Sequence, residues 1–375
     1  MEVLLGKTVE ELKEVASSCG LKPFVGKQLA DWLYRKRVCT FDEMTNISAA
    51  GRKQLSERYI IGRTLPITER VSIDGTRKYL FEVKTRRKSI DEGRESEAES
   101  KGYAETVYIP TDDRVTLCIS TQSGCRMGCR FCMTGTLGFL GHLSAADILN
   151  QIFYFARCGQ SPIVENVSER SGQKEAALPL TPITNIVVMG EGEPMDNIDA
   201  VLRALNIITS EYGWGWSPTR ITVSTVGAGE GLERFLKESD CNLAISLHSP
   251  ISEERAKIMP AEKLRPMRDV LDMVSKYDFR HQRRLSFEYI LWNGLNDSVQ
   301  HAKELVKLVR PFAPQCRVNL IRFHEGADDS FPATDERRMQ AFSDYLNGQG
   351  IVATIRRSRG QDISAACGML VNEVK

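Results

Sequence analysis

The chain has 375 residues, 42% of them hydrophobic and 26% charged, with a formal net charge of +1 at pH 7. That is enough apolar mass for a sizeable core and two or three structural units, and no apolar run approaches the roughly 20 residues of a membrane-spanning helix. Near-zero net charge neither supports nor excludes a nucleic-acid partner. Ten irregularly spaced cysteines behind a polar start, EVLLGKTVEELKEV, point to metal-binding or catalytic thiols in a reducing cytoplasm rather than to a secreted disulfide framework.

In chain order, residues 1–84 read as a helical accessory unit, with a helical run near 8–17, then KPFVGKQLADWLYRKRV (22–38) and TFDEMTNISAAGRKQLSERY (40–59). Lys22, Lys27, Arg35, Lys36, Arg37, Arg52 and Lys53 make it basic, and Trp32 and Tyr34 lie beside three of those cations. Such helices pair phosphates and stack on bases, but the same pattern also describes an ordinary helical cap with a solvated face. Residues 85–114 read as a linker into the core. Within them, the hydrophilic 87–101, acidic over 91–99 (DEGRESEAE), reads as a loop of low order, as does 160–180, to which no function is assigned.

From 115 to 375 strand-like and helix-like runs alternate. VTLCIST (115–121), NIVVMG (185–190), RITVST (220–225), NLAISLH (242–248), RLSFEYIL (284–291) and RVNLIRF (317–323) are near-continuous apolar runs, as expected of parallel strands covered on both faces. Amphipathic helices are expected over 145–157, with Ser144 and Asp147 placed as a capping pair, and over 297–309 and 335–347. The fold expected is α/β, a partial open (βα)6 barrel whose functional residues gather at the carboxyl ends of its strands. They do gather there. A cysteine loop follows the first strand and GEGEP (190–194) the second; Ser224 and Thr225 close the third, Ser246, Leu247 and His248 the fourth, and Asn319 and His324 bracket the end of the sixth. Any one of these is most often a satisfied loop residue; five coinciding strand ends point to a ligand lying across the mouth.

The cysteine loop is GCRMGCRFCMTG, with Cys125, Cys129 and Cys132 inside eight residues and no fourth cysteine at matching spacing. A closed zinc site wants four ligands and a simple ferredoxin-type cluster four thiolates. Three thiolates suit a [4Fe–4S] cluster with one iron open. A zinc site completed by His142 or a remote cysteine, and three unrelated thiols, are the alternatives. The C-x3-C-x2-C spacing, with Phe131 before the last cysteine, resembles the signature of radical S-adenosylmethionine (SAM) enzymes, in which the open iron chelates the amino and carboxylate groups of SAM. The glycines of MGEGEP allow close backbone approach to a ligand, and Glu193 there can accept a hydrogen bond from an ammonium group.

Two more cysteines carry the resemblance further. Cys118 lies in the first strand and Cys367 in RGQDISAACGML, a small-residue, glycine-flanked loop that keeps a thiol accessible. Alone, each would be taken for an ordinary buried thiol. Together with KYLFEV (78–83), ETVYIPTDDRVTLCISTQSGC (105–125), CRFCMTGTLGF, GEGEP, STVGAG, LAISLHSP, YILWNGLNDS, VNLIRF and RGQDISAACG, they make nearly the whole chain similar to the RlmN/Cfr family of radical SAM methyltransferases, which methylate adenine in RNA.

The resemblance implies one [4Fe–4S] cluster on Cys125, Cys129 and Cys132, and two SAM molecules per turnover. SAM contacts would be Gly192, Glu193, Ser224, Ser246, Leu247, His248 and His324. In the family a methyl group first passes to a cysteine that maps onto Cys367. A second SAM, split by one electron, yields a radical that takes hydrogen from that methyl, and the resulting methylene radical adds to adenine. Cys118 then attacks the Cys367 sulfur, releasing the RNA and leaving a disulfide. Glu105 matches the family's proton acceptor; alone it would read as a surface carboxylate on a strand edge. The substrates implied are 23S rRNA at the peptidyl transferase centre and the adenosine 3′ of the anticodon in some tRNAs, gripped in part by residues 1–84. An electron donor and a disulfide reductant are implied as partners, with the chain acting as a monomer in the cytoplasm.

The chain departs from the family in three places. NLIRFHEG stands for the usual NLIPxNP, so His324 replaces an asparagine; MGEGEP stands for MGMGEP and ACGML for ACGQL. ETVYIP and TDDRVTLC favour methylation at C2 of adenine, while LHSPISEERAKIMP and NLIR lie closer to the C8 enzymes that confer antibiotic resistance. Adenine-C8 methylation is therefore the alternative, and a non-catalytic, metal-stabilised RNA-binding protein a more distant one.

Overall fold

The computed structural model describes residues 1–91, 94–156, 181–227, 230–279, 283–323 and 331–370. His324 and the hydrophilic stretch 160–180 lie outside the described residues. No described helix is long and apolar enough to cross a membrane.

The first 61 residues fold as expected into helices, tied off where β1 (Glu2–Val3) pairs in parallel with β2 (Tyr59–Ile60). Helix Val9–Ser18 starts at a Thr8–Glu11 capping box, which satisfies two otherwise orphaned amides, and buries Leu12, Val15 and Ala16. Helix Val25–Ala30 widens into a π turn, Asp31–Arg35, that turns Trp32, Leu33 and Tyr34 inward. Tyr34 is fully buried against Phe153 and Tyr212 of the barrel, and Trp32 donates to Asn46. These two aromatics are therefore core, not a platform for bases: the apolar face that the helix must bury is the one that carries them.

One large sheet forms the rest. In chain order its strands are β3 (Thr68–Val71), β4 (Arg77–Asp91), β5 (Arg94–Pro110), β6 (Val115–Cys118), β7 (Gln122–Gly124), β8 (Phe139–His142), β9 (Asn185–Val188), β10 (Ile221–Thr225), β11 (Asn242–Ser246), β12 (Leu285–Leu291), β13 (Cys316–Arg322) and β14 (Val352–Ile355). The spatial order is β14-β13-β12-β11-β10-β9-β6-β5-β4-β8-β7, with β3 on β4. Neighbours from β6 through β14 all run parallel. The α/β class and the six expected parallel strands are borne out, with β14 as an unanticipated seventh. Helices Ala145–Ala156, Val299–Val309 and Glu336–Gly348 match the expected ones, and Ser144 and Asp147 do exchange capping hydrogen bonds.

Most of the stretch read as a linker, 85–114, is instead sheet, and so are 68–71 and 77–84 at the end of the unit expected to be helical. Residues 77–91 and 94–110 form a long antiparallel hairpin whose register runs from Arg77↔Tyr108 to Asp91↔Arg94, and β5 pairs antiparallel with β6. Opposite charges face each other across it, Arg86 meeting Glu99 at 3.5 Å and Lys101 reaching Glu82 at 2.7 Å.

Candidate active site

The strand ends converge on one mouth. Beyond β6 the chain makes β7 and enters the three-cysteine loop, which closes with Cys132 N donating to Cys129 O (3.1 Å) and Cys125 N to Gly138 O (2.9 Å). Gly124 is obligatory there: its φ is +69° and a Cβ would sit 1.9 Å from Gly138 O. Cys129 is buried and Cys125 and Cys132 half-buried. Burial pushes all three thiols above their ordinary value, Cys125 to about 12, and the neighbouring thiols add to the shift at Cys125 and Cys129. Thiols held this way ionise only around a strong cation, so the donor set fits a cationic iron–sulfur group. Among the described residues no three His, Cys, Asp or Glu side chains converge as ligands of a single ion. His142, the fourth ligand of the zinc alternative, has Nδ1 3.1 Å from Gln122 and Nε2 3.3 Å from Arg126.

The Gly-Glu loop follows β9. Gly192 has φ +98°, and a Cβ would lie 2.5 Å from the Gln122 side chain, so only glycine fits. Gln122 Oε1 in turn accepts from Glu193 N at 2.9 Å. The Glu193 carboxylate is buried between the second and third strand ends, where Thr225 Oγ1 (2.6 Å), Met195 N (3.1 Å) and Val226 N (3.0 Å) donate to it. Burial nevertheless raises its pKa to about 7. With no cation paired to it among the described residues, this buried carboxylate is poised to take an ammonium group.

Ser224 and Ser246, from the third and fourth strands, bring their hydroxyls to 3.4 Å. Leu247 is fully buried, its amide donating to Glu288 O at 3.0 Å. His248 has a left-handed φ of +56°, its Nδ1 accepts from Ile290 N (3.0 Å), and its ring meets Phe131 edge-on at 4.9 Å. Burial depresses its pKa to about 3, so the ring is neutral near pH 7 and carries its proton on Nε2.

The third group is the thiol pair. Sheet register places Cys118 beside Val107 of β5 and Val187 of β9, with Lys78 of β4 across from Val107. Cys118 packs against Val107, Ala365 and Leu370, beneath the loop that carries Cys367. That loop is tethered at both ends: Ser72 Oγ donates to Asp362 (2.6 Å) and Gly360 N to Asp74 (3.0 Å), while Met133 N donates to Gly368 O (2.7 Å) and Thr134 Oγ1 to Leu370 O (2.9 Å). The last two bonds dock it directly on the three-cysteine loop. Both thiols are free; Cys367 opens to solvent within this walled mouth. Burial pushes the Cys118 thiol up and the neighbouring Cys367 adds to it. Glu105 lies on the same sheet face, buried and paired with Lys78 at 3.0 Å. The structure thus brings together every expected site residue except His324, which it does not describe.

Four residues were not anticipated. Gln122 buttresses the Gly-Glu loop, and Glu288 inside the barrel accepts from Ser286 (3.0 Å) and Asn319 (2.7 Å). Lys78 is one strand over from Glu105. Arg255, with no exposed surface, donates to the carbonyls of Leu247 (3.0 Å), Val226 and Ser246 (2.9 Å each) and pairs with Glu262 at 2.5 Å. It locks the third and fourth strand ends together. The one sequence signal was its place on the apolar row Ile251, Arg255, Ile258, Met259 at helical spacing.

Comparison with known proteins finds relatives along nearly the whole chain. Residues 3–61 match the model of the ribosomal RNA large subunit methyltransferase N-terminal domain, and residues 119–309 that of the radical SAM superfamily. A probable dual-specificity RNA methyltransferase RlmN from Phocaeicola vulgatus is 49% identical over 367 residues, covering 98% of this chain and 94% of that one. The dual-specificity RNA methyltransferase RlmN of Syntrophotalea carbinolica is 38% identical, covering 97% and 88%. The crystal structure of a radical SAM methyltransferase from Sphaerobacter thermophilus superposes with a TM-score of 0.81 at 32% identity, covering 98% of this chain and 99% of that one.

Proposed function

We propose, because this chain belongs to the RlmN family of radical SAM RNA methyltransferases, that it methylates C2 of an adenine in 23S rRNA and C2 of the adenosine 3′ of the anticodon in tRNA. The observation that carries the reading is the pair of free thiols, Cys118 and Cys367, under one loop that hydrogen-bonds to the three-cysteine loop, with a buried carboxylate on the same face. Two thiols and a carboxylate are more than SAM cleavage alone requires. The name of the relatives, dual-specificity, supports two RNA substrates, and that of the N-terminal domain supports rRNA.

In this reading Cys125, Cys129 and Cys132 hold one [4Fe–4S] cluster, which when bound supplies the electron that turns SAM into a radical source. Glu193 takes the amino group of SAM, with Gly192, Ser224, Ser246, Leu247 and His248 around it and His324 as a further contact. Cys367 accepts a methyl group and presents it to the base. Adenine C2 is electron-poor, so direct displacement on a sulfonium is closed to it, and a protein-bound one-carbon unit is the way round. Glu105 accepts a proton from the adduct, and Cys118 attacks the Cys367 sulfur to release the RNA. The disulfide left behind needs an external reductant, and the cluster an external electron donor. The enzyme acts in the cytoplasm as a monomer.

The test is mass spectrometry of adenosines from rRNA and tRNA treated with anaerobically reconstituted protein, SAM and a reductant. 2-Methyladenosine from both is the expected result. 8-Methyladenosine would reassign the regiochemistry, and no methylated adenosine from protein that still cleaves SAM would sink the substrate assignment.

A further inference from the structure

Lys78 is buried on the interior face of β4, 4% exposed, where a lone ammonium would be costly. It meets Glu105 and the Ser364 carbonyl, and both belong to the candidate site. Its Nζ lies 3.0 Å from Glu105 Oε1 and donates to the carbonyl oxygen of Ser364 at 3.2 Å. The sheet explains the first contact. Lys78 stands opposite Val107 and Glu105 opposite Leu80, so Lys78 and Glu105 are diagonal neighbours on one face of an antiparallel pair, within reach of a long side chain. Val107 is also opposite Cys118, so lysine, carboxylate and thiol occupy three adjacent strands on the same face. The second contact lands on a special residue. Ser364 is three positions before Cys367 and holds a left-handed φ of +52°, rare for a residue with a Cβ.

From this juxtaposition we infer that Lys78 is a positioning residue, which fixes the Glu105 carboxylate relative to the loop that carries Cys367 and so serves the step that frees RNA from the protein. The inference rests on the reading of Glu105 and Cys367 given above. The loop keeps its other tethers, at Asp362, Gly360, Gly368 and Leu370, when Lys78 is lost. Methyl transfer to Cys367 needs the sulfur in place and leaves Glu105 idle, so it survives. Glu105 loses the ammonium held 3.0 Å from its Oε1, so proton acceptance suffers.

The experiment compares wild type, Lys78→Met, Lys78→Arg and Glu105→Gln, all with full iron content, in three assays: mass of the Cys367 peptide after SAM alone, methyladenosine yield, and RNA covalently retained on denatured protein. For Lys78→Met, methyl-Cys367 within about twofold of wild type, methyladenosine down at least about tenfold and retained RNA are expected. Glu105→Gln should show the same split, and Lys78→Arg should recover much of the yield. Wild-type methyladenosine yield from Lys78→Met, or methyl-Cys367 and methyladenosine lost in parallel, overturns the inference. If Lys78→Met does not fold, Lys78→Arg and Glu105→Gln decide: a Glu105→Gln variant that releases RNA normally also overturns it. Wild-type protein that makes no methyladenosine would instead overturn the function proposed above.

Discussion

Arg255→Met removes the guanidinium that joins the third and fourth strand ends and leaves Glu262 buried without its partner, 3% exposed. Breaking a buried ion pair from one side costs about 3–5 kcal/mol, and three carbonyls lose donors as well. Relaxation of the loops offsets part of the latter, so about 3–5 kcal/mol is expected in all. At about 2 °C per kcal/mol for a chain of this size, the thermal midpoint of the apo protein should fall by about 6–10 °C. The double variant Arg255→Met with Glu262→Met strands no charge and should cost at least about 1 kcal/mol less than the two single changes summed. Because Val226, Ser246 and Leu247 border the expected SAM site, KM for SAM should also rise. The assay is calorimetric or urea unfolding of the three variants at one pH and salt. A single variant within about 1 kcal/mol of wild type, or strict additivity, would refute the reasoning.

Gly192→Ala forces a Cβ to within 2.5 Å of Gln122 at φ +98°, so it should cost about 1–3 kcal/mol and weaken SAM binding, read by titration calorimetry on reconstituted protein. Glu193 and His248 give opposed pH effects on the apo protein. The Glu193 pKa is raised from 4.5 to about 7, so the folded state binds its proton more tightly and this group adds stability as pH falls from 7 towards 4.5, about 2–3 kcal/mol by pH 5. The His248 pKa is lowered from 6.5 to about 3, so its contribution is present above pH 6.5 and lost as pH falls, about 2 kcal/mol by pH 5. Glu193→Gln should therefore steepen the loss of stability between pH 7 and 5 and His248→Gln should reverse it; parallel curves in urea unfolding would contradict both assignments. Cys367→Ala should abolish methyl transfer with iron content unchanged, whereas loss of the iron would mean that Cys367 is structural.

The parallel strands were legible because β-branched and apolar runs such as NLAISLH leave little alternative. The residues of the mouth followed from their position at strand ends. β14 escaped because four residues with alternating exposure, VATI, carry almost no signal. The hairpin escaped for a different reason. Its distal part has the composition of a disordered segment, and the charge pairs across it, Arg86 with Glu99 and Lys101 with Glu82, depend on register and not on either run alone. Trp32 and Tyr34 were legible as aromatic but not as inward-facing, since a π turn sets their direction. Cys118 and Cys367 are far apart in sequence, and only resemblance to a family joined them. Lys78 was illegible, and Arg255 legible only from its place on an apolar helical row, because a buried cation looks like any other until its carboxylate and carbonyl partners are folded around it.

The most direct measurement follows one carbon. Protein whose Cys367 has been loaded with a 13C methyl group from labelled SAM, then freed of SAM, is given RNA, reductant and unlabelled SAM for a single turnover. The first methyladenosine is expected to carry 13C, because its new carbon comes from Cys367. An unlabelled first product, with the label still on Cys367, would contradict it.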